Sequence, residues 1–196
     1  MHFPCFIISA MNDSDLIEKR IECEEVFHGK LLHVFHDKVL LPNGHEGGRD
    51  LIRHLGAVCV VPLTDDGCVI MERQFRYPMD EVIWEIPAGK LDSKDEDRLL
   101  AAKRELSEET GYSAKEWISL GVLYPTPAYS DEKIWIYLAK GLEKGNVHLD
   151  EDEFIGVEII PLGKLLDMVM DGEITDAKTQ LSLLKAARYI SLNEKA

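Results

Sequence analysis

The sequence is short of cysteine, of positive charge and of long apolar runs, and each shortage excludes a class of protein. The four cysteines in 196 residues, Cys5, Cys23, Cys59 and Cys68, are scattered and form no CxxC pair. Neither a cysteine zinc site nor a disulfide framework is signalled, and a reducing, cytoplasmic setting is expected. Lysine and arginine number 22 against 36 aspartates and glutamates, a formal charge of −14. Such a balance repels nucleic-acid backbones and anionic lipid surfaces, so neither nucleic acid nor membrane is expected as a partner. A small anionic substrate stays open, because a bound divalent cation and a few placed arginines reverse the field locally. The apolar stretch at 3–10 is short, has no basic flank and precedes acidic sequence, so it reads as a ragged start or a short strand. No other run approaches the length of a bilayer span. Internal repeats and low-complexity linkers are absent.

What is present suits one domain with a real core: 45% of the residues are hydrophobic. The pattern over 17–74 is strand-like, broken by turn signals at His28-Gly29, Pro42-Asn43-Gly44, Gly47-Gly48 and Asp65-Asp66-Gly67. The nearly continuous apolar run at 56–63 predicts a strand buried on both faces, with 68–74 as its hairpin partner at the sheet's centre. A helix is predicted over 94–110. Ser93 and Glu96 suggest a capping box, Leu99, Ala102 and Leu106 an apolar stripe, and Gly111 a terminator. Strands follow at 117–122, 134–139 and 155–160, then helices at 162–171 and 177–191. The order implies a mixed α+β fold with helices covering a sheet. The one candidate boundary, near Leu55, divides the chain into an N-terminal β-strand extension at 1–54 and a main domain at 55–196.

On the predicted helix Glu105, Glu108 and Glu109 stand at i, i+3 and i+4, so three carboxylates project from one side. A cluster of this kind is most often a solvated acidic face. Here it lies at the helix C-terminus, where the macrodipole disfavours further negative charge unless a cation compensates. A hard divalent ion fits that need, since Mg²⁺ takes carboxylate oxygens in octahedral geometry and keeps positions for water and phosphate.

The cluster belongs to a longer pattern. Arg104, Glu105, Leu106, Glu108, Glu109, Gly111 and Tyr112 match in register the second half of the Nudix box, Gly-x5-Glu-x7-Arg-Glu-apolar-x-Glu-Glu-x-Gly-apolar, which the segment resembles. In the first half Glu96 stands eight positions before Arg104, as the box requires, but Gly89 comes one residue too early. Either one residue is inserted in the loop or Asp95 takes the glutamate's place. The preceding Trp84-Glu85-Ile86-Pro87-Ala88-Gly89 resembles the signature of the ADP-ribose pyrophosphatase branch.

That resemblance implies a Nudix-type α/β/α sandwich with a mixed sheet. It also implies a Mg²⁺-dependent hydrolase, with Mn²⁺ as a substitute, cleaving ADP-ribose to AMP and ribose 5-phosphate. Glu105, Glu109 and the Ala88 carbonyl are implied as metal ligands, with Glu153 as a further one. Arg104 would orient a carboxylate of the box, Glu108 would bind metal directly or through water, and Glu151 in the acidic 150–153 loop aligns with the base. The stretches at 72–78 and 125–132 resemble the branch's arginine-bearing strand end and its loop near the terminal ribose. Arg76 is therefore a candidate bidentate phosphate donor, and Glu132 a candidate substrate contact. Arg49 and Arg53 are secondary candidates, reaching a neighbouring subunit's site if the N-terminal strands are exchanged in a homodimer. Phe27, Phe35 and Tyr77 are alternatives for stacking on adenine. Two rival readings remain: turnover of another nucleoside-diphosphate sugar or a dinucleotide, and a Nudix-fold module that binds a nucleotide without cleaving it. The intact set of box carboxylates argues against the second.

Overall fold

The computed structural model of the chain describes residues 12–146 and 154–193. Cys5, Glu151 and Glu153, and with them the acidic loop expected to supply a base and a ligand, lie outside the described residues. Contacts divide the chain into two units: Met1–His54 with Ala128–Asp131, and Leu55–Pro127 with Glu132–Ala196.

In the first unit β1 (Lys19–His28), β2 (His33–Leu40) and β3 (Glu46–Arg53) form an antiparallel sheet in that order. Gly29 closes the first hairpin, donating its N–H to the Leu32 carbonyl at 2.8 Å. Asn43 and Gly44 turn the second, as their residue types suggest. Gly47-Gly48, expected to mark a turn, instead lies inside β3 opposite Val39 and Lys38. The strand needs little side-chain bulk there because Leu41 and the His36 ring already cover the two glycines. Ala128–Asp131 runs beside the end of β3, with Ile52 N–H donating to Tyr129 O at 2.8 Å.

In the larger unit β4 (Ala57–Pro62) is buried along nearly its whole length, as an apolar run with no polar alternation requires. Its side chains alternate between two cores. Val58 and Val60 pack with Ala101, Ala102 and Leu106 of α1 (Arg98–Thr110). Cys59 and Val61 pack with Leu165 and Met168 of α2 (Leu162–Met170) and Leu183 and Ala186 of α3 (Ala177–Asn193). Helices thus cover both faces, giving the expected α/β/α sandwich. Full burial of a side chain such as Leu106 contributes about 2 kcal/mol.

The sheet pairing corrects one expectation. β5 (Cys68–Arg76) pairs with the end of β4 through a single bridge, between Leu63 and Val69. Both edges of β4 are taken, one by β7 (Ala88–Lys90), antiparallel, and the other by β9 (Ile134–Lys144), parallel. β5 instead lies between β6 (Glu81–Glu85) and β10 (Ile155–Pro161), while β8 (Tyr112–Leu123) pairs β9. The sheets are therefore β7-β4-β9-β8, which is mixed, and β10-β5-β6, which is antiparallel. No helix among the described residues is long and apolar enough to cross a membrane.

Helix α1 starts four residues later than its sequence pattern suggests. Asp97, not Ser93, caps it, accepting from the N–H groups of Leu99 and Leu100 at 2.9 Å each. Ser93 closes only a turn with Glu96, whose carboxylate is drawn away from the helix start towards Arg104. The C-terminus ends as expected at Gly111, whose φ of 73° no β-branched residue adopts cheaply.

Candidate active site

Two features of the chain bring the box carboxylates together. The one-turn spacing on α1 aligns Glu105 and Glu109, and β7 runs antiparallel to β4 so that Ala88 and Gly89 lie against that same stretch of helix. Ala88 N–H donates to Glu109 Oε2 at 2.9 Å. At Gly89 the Glu105 carboxylate comes so close that a Cβ would overlap it. Both carboxylates are largely buried, Glu105 at 8% and Glu109 at 5% exposure.

Arg104 sits at the middle of the negative charge. Its Nη1 donates to Glu105 Oε1 at 2.8 Å and Glu108 Oε2 at 3.4 Å. Its Nη2 donates to Glu96 Oε1 at 3.3 Å and lies 3.7 Å from Asp92 Oδ2. Burial alone would lower the guanidinium's pKa, but the carboxylates of Glu105, Glu96 and Asp92 outweigh it and raise the pKa. One guanidinium among this many carboxylates leaves net negative charge at the C-terminal half of a helix, where the dipole adds to it. The donors are hard carboxylate oxygens, so the residues fit a divalent cation of the magnesium type.

The loop ambiguity is resolved by geometry. Glu96, not Asp95, reaches Arg104, and its other oxygen accepts from Asp92 N–H at 2.6 Å. The extra residue after Gly89 is absorbed in the 91–97 loop ahead of the Asp97 cap.

A second charged network holds the strand that leads into the site. Glu85, 2% exposed, accepts from Arg76 Nε at 2.5 Å and Nη2 at 2.8 Å and from Lys178 Nζ. Lys178 also donates to Asp176 at 3.0 Å. Next along the chain, Ile86 N–H donates to Thr179 Oγ1 at 3.1 Å, and Pro87 O accepts from Val60 N–H at 2.9 Å. Burial opposes the charge on Glu85, yet Arg76 and Lys178 outweigh it and hold the carboxyl below its ordinary range. Burial likewise opposes the charge on Lys178, and Asp176 and Glu85 raise its pKa.

The NUDIX domain model matches residues 53–180. The chain belongs to the NUDIX family. It is 41% identical over 181 residues to an ADP-ribose pyrophosphatase of Bacillus subtilis (strain 168), covering 91% of this chain and 95% of that one. It is 40% identical over 179 residues to a methanol dehydrogenase activator of Bacillus methanolicus, covering 90% and 94%. The crystal structure of an ADP compounds hydrolase superposes with a TM-score of 0.80 over 91% of this chain and 97% of that one, at 23% identity, and so shares the fold. NUDIX hydrolases generally depend on divalent metal ions.

Within this NUDIX frame the structure brings together Ala88, Arg104, Glu105, Glu108 and Glu109. Arg76 lies in the same unit, with two of its three guanidinium nitrogens on Glu85. Glu132, half-buried, belongs to this unit too. Arg49 and Arg53 belong to the N-terminal unit and have partners there. Arg49 pairs with Glu18, while Arg53 lies 3.6 Å from Asp37 and stacks over Phe35 at 4.1 Å. The sequence placed Glu85 in a signature but gave it no role, and Lys178, Asp176 and Thr179 were not singled out. Of these last three, Asp176 carried a local signal, since an aspartate three residues before Thr179 is a helix cap, and it accepts from Thr179 N–H at 2.9 Å.

The contact at Gly89 yields a prediction. Gly89 is paired to Val58 in the sheet, so in Gly89→Ala the flexible end of Glu105 moves rather than the backbone. Stability should change little, while displacement of the Glu105 carboxylate by about an ångström should lower turnover by on the order of 10²-fold. Thermal unfolding measured beside turnover checks this. Full activity in Gly89→Ala would mean that the Glu105 position does not matter.

Proposed function

We propose that the protein hydrolyses the pyrophosphate bond of ADP-ribose to AMP and ribose 5-phosphate, with Mg²⁺ as cofactor and Mn²⁺ as a substitute. The convergence of the buried Glu105 and Glu109 carboxylates on the Ala88-Gly89 backbone carries this reading. The relative named as an ADP-ribose pyrophosphatase, matched over nearly its full length, supports the choice of substrate.

Mg²⁺ held there supplies charge neutralisation on the diphosphate oxygens and a more acidic bound water. Glu105, Glu109 and the Ala88 carbonyl are the proposed ligands, with Glu153 from outside the described residues. Arg104 is a positioning residue. Its hydrogen bonds fix Glu105 and draw Glu108 and Glu96 to the same point, so the ligand oxygens are ordered before substrate arrives. Glu108, about half exposed, acts on the metal directly or through water. Arg76 is proposed to meet a phosphate oxygen, its plane set by the paired bonds to Glu85. Glu151, also outside the described residues, is the proposed base on the strength of the resemblance, and Glu132 a proposed substrate contact.

A homodimer is part of the proposal. β1 is exposed at all ten positions, with Ile21 46%, Val26 54% and Phe27 55% exposed, an apolar edge that a second copy would cover. Light scattering should then give twice the 22.2 kDa chain mass. A cytoplasmic location is proposed from the sparse, scattered cysteines.

The substrate assignment is tested by a panel of ADP-ribose, other nucleoside-diphosphate sugars and FAD, comparing kcat/KM with Mg²⁺ present. ADP-ribose should lead by at least tenfold. A higher value for another member would keep the chemistry and replace the substrate.

A further inference from the structure

The N-terminal sheet carries a group of side chains that the hydrolase reading does not use. Glu25 and His28 lie on β1 and His33 on β2, beside the hairpin tip at Gly29. Residues three apart on a regular strand point to opposite faces. Here a β-bulge between Glu25 and Phe27 inserts one residue into β1. Glu25 is then paired with Phe35 and His28 with His33, and since Phe35 and His33 share a face of β2, Glu25 and His28 share it too.

The three side chains converge as well as share a face. His28 Nδ1 lies 2.9 Å and His33 Nδ1 3.0 Å from the same Glu25 Oε1. The two rings meet edge to face with centroids 4.2 Å apart, and all three ligand atoms lie within 4.8 Å of one another. A tetrahedral ion about 2.1 Å from each donor needs donor separations of about 3.4 Å. Opening the two contacts to Glu25 by about half an ångström brings those pairs to that separation, a movement open to the exposed His28 ring and the half-exposed His33 ring. The nearest cation across the sheet does not compete for Glu25. Arg53, opposite His33 on β3, directs its guanidinium over Phe35 and towards Asp37 and Cys23.

We propose that Glu25, His28 and His33 form a binding site for a borderline divalent metal ion of the zinc class, with one coordination position left for water. Two imidazole nitrogens and one carboxylate oxygen suit Zn²⁺, and imidazole disfavours Mg²⁺, which takes oxygen donors. The ion ties β1 to β2 across the hairpin tip. The site rests on none of the residues assigned to hydrolysis and stands whether or not ADP-ribose is the substrate.

The test is calorimetric titration of the full, untagged chain with Zn²⁺ in excess Mg²⁺, which keeps the carboxylate site on α1 filled. Wild type should bind one Zn²⁺ per chain, and the imidazole ¹⁵N signals of His28 and His33 should shift on addition. Glu109→Gln should bind it equally well. In His28→Asn/His33→Asn, with an unchanged circular dichroism spectrum, affinity should fall at least a hundredfold. Absence of Zn²⁺ binding by wild type, or undiminished binding by the double variant, would overturn the proposal. Binding lost in Glu109→Gln but kept in the histidine variant would assign the zinc to α1, overturning this site while leaving the hydrolase reading intact.

Discussion

Glu109→Gln should lower kcat for ADP-ribose hydrolysis by on the order of 10³-fold, the effect of losing about 4 kcal/mol of transition-state stabilisation by a metal site. The substitution separates charge from shape. A glutamine oxygen at the same place still accepts the Ala88 N–H now bonded to Glu109 Oε2, so the contact between α1 and β7 survives. The change removes one negative charge from a buried group at the C-terminal end of a helix, which by itself is neutral or favourable for stability. Turnover and metal affinity should therefore collapse while the thermal midpoint stays within a few degrees of wild type. Activity within a few-fold of wild type in Glu109→Gln would remove Glu109 from the metal site.

Lys178→Met should produce the largest loss of stability, about 3 kcal/mol. The lysine's ammonium lies in the larger unit between Glu85 and Asp176, with only 12% of its side chain exposed. Removing it leaves the Glu85 carboxylate, 2% exposed, with Arg76 as its remaining cation. At roughly 2–4 °C per kcal/mol for a protein of this size, the midpoint should fall by about 10 °C. The pH dependence has a definite sign. Glu85's folded pKa is depressed, so its contribution is fully present above the ordinary value of 4.5 and is lost as pH falls through the folded value. Lys178's folded pKa is raised, so its contribution is present below 10.5 and is lost as pH rises through the folded value. The gap between wild type and variant should be widest between those limits and close on both sides. Thermal unfolding across pH checks this, and a midpoint within 2 °C of wild type at neutral pH would show that the buried network does not hold the strand.

These two residues mark the limits of what the sequence tells. Glu109 was legible because helical spacing places it with Glu105 and Glu108, and because Gly111 closes the helix where the pattern stops. The β4 strand was legible because an unbroken apolar run can only be buried on both faces. Its neighbours were not, since a hairpin turn at 64–67 reads the same whether the strands stay paired or part after one bridge. That outcome depends on β7 and β9, which approach from distant parts of the chain. The helix start was misplaced for a related reason. Ser93 and Glu96 satisfy a local capping rule, but Arg104 lies two turns further on and draws the Glu96 carboxylate to itself. Lys178 had no local signal, because nothing in its surrounding sequence reveals that Glu85, 93 residues earlier, is buried beside it.

If the buried carboxylates at the end of α1 hold a divalent cation needed to cleave a nucleoside diphosphate, removing the cation abolishes cleavage. The most direct measurement is AMP release from ADP-ribose by the purified chain, followed by chromatography with Mg²⁺ and after chelation. AMP and ribose 5-phosphate should form in equal amounts with Mg²⁺ and not after chelation, with activity restored when Mg²⁺ or Mn²⁺ is returned. AMP release at an undiminished rate in the chelated protein would contradict it.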